Sequence, residues 1–293
     1  MASAGFTNPY FTNERPPQGA YATPLAPQAP QAPTVGQQAH LEGMYAAPSA
    51  GTPQTGRMTY EDTIVKTVIL FAVMLVTAVA SWFITLGGSL STETATGYNL
   101  MPMIVGAIGT FVVSLIIAFR KQAPVALTFV YAVAEGLFVG GISAFFEILY
   151  PGIIVQAALA SIAVIGTTLA LFASGKIRAS AKMTKIVMIA MIGYAVFSLL
   201  NVGLMMFGVL PEGMAFGLRS ATIAGIPIGL ILGVLVVLMG AYMLVMDFDA
   251  VQRGVRNGAP AKLAWTAAYG ILSTVVFIYI EILRMLAILR GDD

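Results

Sequence analysis

From residue 64 to residue 289 the chain alternates between long apolar runs and short polar or turn-forming breaks. The runs cover residues 64–84, 100–119, 124–146, 153–174, 186–209, 221–246 and 263–289. Each is close to the roughly 20 residues that carry a helix across a hydrocarbon core. A spanning segment has no water to bond its backbone, so it must satisfy its own amides and carbonyls, and each run is predicted to be a helix. The breaks fall at Gly87-Gly88-Ser89, Arg120-Lys121-Gln122, Tyr150-Pro151-Gly152, residues 176–185, Pro211-Glu212-Gly213 and residues 253–260. The expected fold class is therefore all-α: a polytopic membrane protein, a bundle of seven transmembrane helices behind a disordered N-terminal tail.

The tail, residues 1–57, breaks the pattern. It carries Pro16-Pro17-Gln18-Gly19 and a proline-, alanine- and glutamine-rich run from Pro24 to Pro33, with few bulky apolar residues. Such a segment cannot bury enough surface to offset its ordering entropy. No apolar core follows a basic start, so it does not read as a signal peptide. Residues 1–57 are expected to be a cytoplasmic tail, inert or docking a partner, and residues 58–293 the transmembrane domain.

Composition agrees. Hydrophobic residues make up 58% of the chain and charged residues 10%, against roughly 25% charged in soluble domains; mean hydropathy is +0.87. The net charge of +2 gives no basic footprint for nucleic acid. There are no cysteines and one histidine, His40, in the tail. That excludes disulfides, thiolate chemistry and a histidine-based metal cage or serine–histidine pair within the membrane. Gly141-Ile142-Ser143-Ala144 loosely matches the serine motif of rhomboid proteases, but no histidine base follows it. No Gly-x-Gly-Asp, His-Glu-x-x-His, Walker loop or dinucleotide fingerprint occurs, so no enzyme and no cofactor is expected.

Charge placement sets the orientation. With the tail inside, twelve of the fifteen Lys and Arg residues fall on the inner side, leaving Arg219 in an outer loop and Arg284 and Arg290 near the C-terminus. This positive-inside bias puts the N-terminus in the cytoplasm. Gly136 and Gly140, and Gly229 and Gly233, are spaced four apart and predict close helix packing. Pro227 falls in the first turns of the sixth span, where it can kink a helix.

Ionisable residues within spans are the default functional candidates, because the bilayer makes them costly. They are Glu135, Glu147, Asp247, Asp249, Glu281 and Arg284. Glu135 sits mid-span with no basic residue near it in sequence, and Glu147 reads as a wetted helix end. Asp247 and Asp249 diverge by roughly 200° on a helix and cannot both face one site. Asp249 has Arg253 at i,i+4, a pairing distance. Glu281 has Arg284 three residues on. Carboxylate oxygens with no fixed cage suit a hard cation in transit, such as calcium. Two nearby carboxylates can also share a proton and so respond to pH.

Four stretches resemble the Bax inhibitor-1-like family in its bacterial branch. They are Phe129 to Gly140; Ile154 to Leu159 followed by Ser198-Leu199-Leu200-Asn201; Gly240 to Gln252; and Leu272 to Leu289. They come in the family's order, within a resemblance that runs from about Tyr60 to the end, about four-fifths of the chain. The resemblance implies seven helices with the last packed centrally, and a pH-sensitive calcium leak gated by two acids. Asp247 or Asp249 takes the place in the sixth helix and Glu281, a glutamate where the family has aspartate, that in the seventh. With a turn at Gly258–Pro260 the two acids lie offset by roughly 15 Å along the helices, which makes Glu135 a third candidate. The expected function is a calcium leak channel of the bacterial cytoplasmic membrane, with calcium transiently on Asp247, Asp249 or Glu281. Its partners would be the lipid bilayer, calcium, protons and a membrane protein. The alternative is a non-conducting regulator of stress response or membrane proteolysis.

Overall fold

The computed structural model describes residues 56–291 apart from 96, 212, 213 and 215. The tail assigned to residues 1–57 therefore lies, but for its last two residues, outside the described residues. Seven helices long and apolar enough to span a membrane follow. They are α1 (Tyr60–Thr85), α2 (Met101–Ala118), α3 (Val125–Leu149), α4 (Ile153–Ala173), α5 (Ala181–Met206), α6 (Ile228–Arg256) and α7 (Leu263–Gly291).

All seven expected spans are present, with three boundaries displaced by five residues or more. Helix α5 starts at Ala181 rather than 186: Ser180 caps it through the Met183 amide, so Lys182 and Lys185 lie inside its first turns. Helix α6 starts at Ile228 rather than 221. The residues before it form a small antiparallel hairpin, Thr222–Ile223 against Ile226–Pro227. Its two-residue turn places Ala224 at φ 53° and Gly225 at φ 81°, the left-handed pair that such turns need. Pro227 thus precedes α6 and does not kink it. At its other end α6 runs on to Arg256, placing Arg253 and Arg256 in its last turn, where cations meet the negative end of the helix dipole.

Small residues set the packing. A side-chain carbon on Gly140 would strike the backbone of Ala78 on α1, and one on Gly136 would strike the Met74 carbonyl. On its opposite side α3 meets α2, where Gly141 abuts Met103 and Gly106 abuts the backbone of Ala134 and Leu137. Helix α3 is therefore clasped between α1 and α2 at near backbone contact. Gly229 and Gly233 likewise admit Ile288 and Met285 of α7.

Helix α7 is central. Half of its apolar stretch is buried inside the bundle, against 22% for each of α1, α2, α4 and α5. Both of its ends are tied. At its start, the Met58 amide donates to Ala259 O (2.7 Å) and the Ala261 amide to Gly56 O (3.0 Å). Lys66 Nζ reaches Ala261 O at 2.8 Å, and the Ala123 amide donates to Thr266 Oγ1 at 3.0 Å. At its end, Arg290 donates to the carbonyls of Tyr150 and Pro151 and to Gln156 Oε1. The outward faces carry apolar side chains such as Val76, Leu159, Leu199 and Leu238, all more than 60% exposed. Outside a bilayer that belt would be a very large exposed apolar surface.

Candidate functional site

A cavity of about 430 Å³ lies between α2, α3, α5 and α7, closed at one end by Arg219 and bordered on α6 by Met243. Among the lining side chains are Glu135 from α3, Tyr194 and Ser198 from α5, and Glu281 and Arg284 from α7.

Glu281 is 3% exposed. The Tyr194 hydroxyl donates to its Oε1 at 2.5 Å, and Arg284, one turn further along α7, forms an ion pair with Oε2. Arg219 belongs to a short 3-10 turn, Gly217–Ser220, and folds back into the bundle until only 5% of it is exposed. Its Nη2 donates to Ser198 Oγ at 2.7 Å and lies 3.4 Å from the Tyr194 hydroxyl. The Arg219 guanidinium also sits 5.2 Å from the Phe197 ring centre and 5.6 Å from that of Tyr194, with Arg284 5.8 Å from the latter. Aromatic faces attract cations at such distances. Burial first, and then the neighbouring Arg284 charge, lowers the Arg219 pKa from the ordinary arginine value.

Asn201, 1% exposed on α5, holds the turn that delivers Arg219. It accepts the Leu218 amide at 2.7 Å and donates to Phe216 O at 3.1 Å. Between those two residues Gly217 sits at φ +66°, and a side-chain carbon there would run into the Asn201 amide. Asn201→Ala strands the half-buried Leu218 amide and Phe216 carbonyl, each worth roughly 1–3 kcal/mol. We expect it to lower unfolding stability by about 2–3 kcal/mol, as measured by denaturation in bicelles.

Glu135 is 5% exposed. The hydroxyls of Thr110 and Tyr131 lie beside its carboxyl, yet Glu135 Oε2 and Thr110 Oγ1 are buried without a hydrogen-bond partner. Asp247, 1% exposed, accepts from Thr274 Oγ1 at 2.6 Å. Thr274 lines the cavity and Asp247 stands behind that wall. Asp249 pairs with Arg253 one turn on, and neither lines the cavity. Glu147 caps α4, accepting the amides of Gly152 and Ile154 at 2.6 and 3.1 Å.

The structure thus brings Glu135, Glu281 and Arg284 to one cavity and leaves Asp249 and Arg253 outside it. Asp247 and Glu281 hold different partners. Because Asp247 is level with Thr274, Glu281 lies seven residues further along α7, an offset of roughly 10 Å. Among the described residues no three acidic or histidine side chains gather as metal ligands. Sequence reasoning missed Tyr194, Ser198 and Thr274, which look like ordinary helix residues. It placed Arg219 in an outer loop. The available signal was that Arg219 stands alone, a single cation between Phe216-Gly217-Leu218 and the next apolar run.

No curated protein and no solved structure matches the chain. A family model described as Bax inhibitor 1 like matches residues 8–291, so the resemblance seen in four stretches extends over nearly the whole sequence, and the chain belongs to the Bax inhibitor 1 like family.

Proposed function

We propose that this membrane protein is a pH-sensitive calcium leak channel whose ion path runs through the cavity. The observation that supports it is the presence of two buried carboxylates, Glu135 and Glu281, on the wall of one cavity inside the bundle. Such groups are costly in a membrane and mark ion pathways. In the arrangement seen, Arg284 and Tyr194 occupy both oxygens of Glu281, which fits a closed path. A calcium ion must displace Arg284 to reach that carboxylate, and it needs the carboxylate ionised. The leak should therefore rise with pH and fade as the acids take up protons. The bias of Lys and Arg supports a cytoplasmic N-terminus, and the membrane we propose is the bacterial inner membrane.

The test is calcium flux into dye-loaded liposomes across a pH series. Wild-type protein should leak more at alkaline than at acidic pH. Glu281→Gln and Glu135→Gln should lose most of that dependence, Asp247→Asn should alter it through Thr274, and Asp249→Asn should behave as wild type. Folded protein giving no flux above empty liposomes at any pH would sink the channel reading. The weight would then move to a regulator acting through a membrane protein partner.

A further inference from the structure

The Arg219 end of the cavity holds more positive charge than the described residues balance. Arg219 and Arg284 share one nearby carboxylate, Glu281, and its two oxygens are taken by Tyr194 and Arg284. The acceptors that Arg219 meets, the Ser198 and Tyr194 hydroxyls, are both neutral. Moreover, the Nε atoms of Arg219 and of Arg284 are both buried without a hydrogen-bond partner, and both side chains line the cavity. A buried guanidinium short of acceptors is costly. Two of them side by side present forks that match the spaced oxygens of a carboxylate or phosphate.

The remaining wall is mainly apolar, with Phe111, Phe138, Val202, Phe277 and Ile280 among its members. Phe111 on α2 is 46% exposed and Val202 on α5 is 50% exposed. Both lie on outward faces, so the cavity's mouth opens between α2 and α5, where lipid is the surrounding phase. At about 430 Å³ the space falls in the range of sites for a single small ligand. Glu135, further in, would repel a negative head and keep it beside the arginines.

We propose that the cavity is a binding site for one single-chain anionic amphiphile. Its carboxylate or phosphate head bridges Arg219 and Arg284, and its apolar chain lies along the α2 and α5 walls toward the bilayer. The site shares its cavity with the proposed leak path but is read by binding and not by flux, so neither result decides the other.

The experiment measures thermal unfolding of the full-length protein in a non-ionic detergent, titrated with oleate, with 1-oleoyl-lysophosphatidylglycerol and with neutral monoolein. The anionic probes should raise Tm and monoolein should not. The anion with the larger shift separates a free fatty acid from a phosphate-headed lipid as the source. Arg219→Gln should weaken that binding roughly tenfold or more, and Arg219→Lys, which keeps the charge but loses the fork, should keep part of it. Equal shifts with monoolein, or an undiminished anion shift in Arg219→Gln, would overturn the site. Should Arg219→Gln fail to fold, native mass spectrometry of wild-type protein decides the matter. Retention of an anion over monoolein at equal concentration supports the site, and equal retention refutes it.

Discussion

Glu281→Leu should cost the protein about 3–5 kcal/mol of unfolding stability, and adding Arg284→Met to the same chain should return part of it, the remainder being the uncompensated Arg219. The carboxylate and its arginine are both largely buried, with side chains 4% and 16% exposed. Removing the acid alone leaves Arg284, and beside it Arg219, without an ionised acceptor among the described residues, and takes from the Tyr194 hydroxyl the acceptor of its proton. Removing acid and base together replaces an ion pair by apolar volume, an exchange that is often neutral or stabilising. A double-mutant cycle on chemical unfolding in bicelles measures the coupling directly. Costs that simply add, with no recovery in the double variant, would show that the pair contributes nothing as a pair.

The second large effect belongs to a residue with no side chain. Gly140→Val on α3 should destabilise by about 3 kcal/mol or more, the upper end of what overpacking costs. The obstacle is the main chain of Ala78, not a side chain that can turn aside. To admit the valine, α1 and α3 must separate along their whole contact. Gly166→Val on α4 is the matched control: nothing lies within 4 Å of the added carbon, and the helix gains from losing a glycine. Its unfolding should stay within about 0.5 kcal/mol of wild type. Similar losses at both positions would mean that glycine matters here for chain flexibility and not for close approach.

The seven spans were legible because hydrophobicity is a property of each segment by itself. The same holds for Gly136 and Gly140, whose spacing announces a face before any partner is known. Boundaries were less legible where apolarity and helicity part company. Ile223 and Ile226 look like membrane residues but sit in a hairpin, and Lys182 and Lys185 look like a loop but begin a helix. The site was half legible. Glu135, Glu281 and Arg284 stand out as charges in apolar surroundings. What they face depends on the rotation and relative height of helices far apart in the chain, which no local pattern encodes. Hence Asp247 meets Thr274 instead of Glu281. Arg219 reads as a solvated loop residue because the fold-back that buries it is dictated by Asn201, 18 residues earlier.

The fastenings at both ends of α7 decide which part of the bundle can move. A backbone strap from residues 56–58 and a side-chain clamp from Arg290 hold this helix like a fixed axle, and the glycine contacts lock α1, α2 and α3 into one block. Helix α5 is tied at its start to Tyr242 of α6, whose hydroxyl accepts the Ser180 amide at 3.0 Å and reaches Ser180 O at 3.2 Å. It meets the axle through the Tyr194 hydroxyl on Glu281 and is joined to the Arg219 turn by Asn201. Widening the cavity beside this frame would pivot α5 about its Tyr242 tie. Parting Tyr194 from Glu281 is the first break such a movement requires.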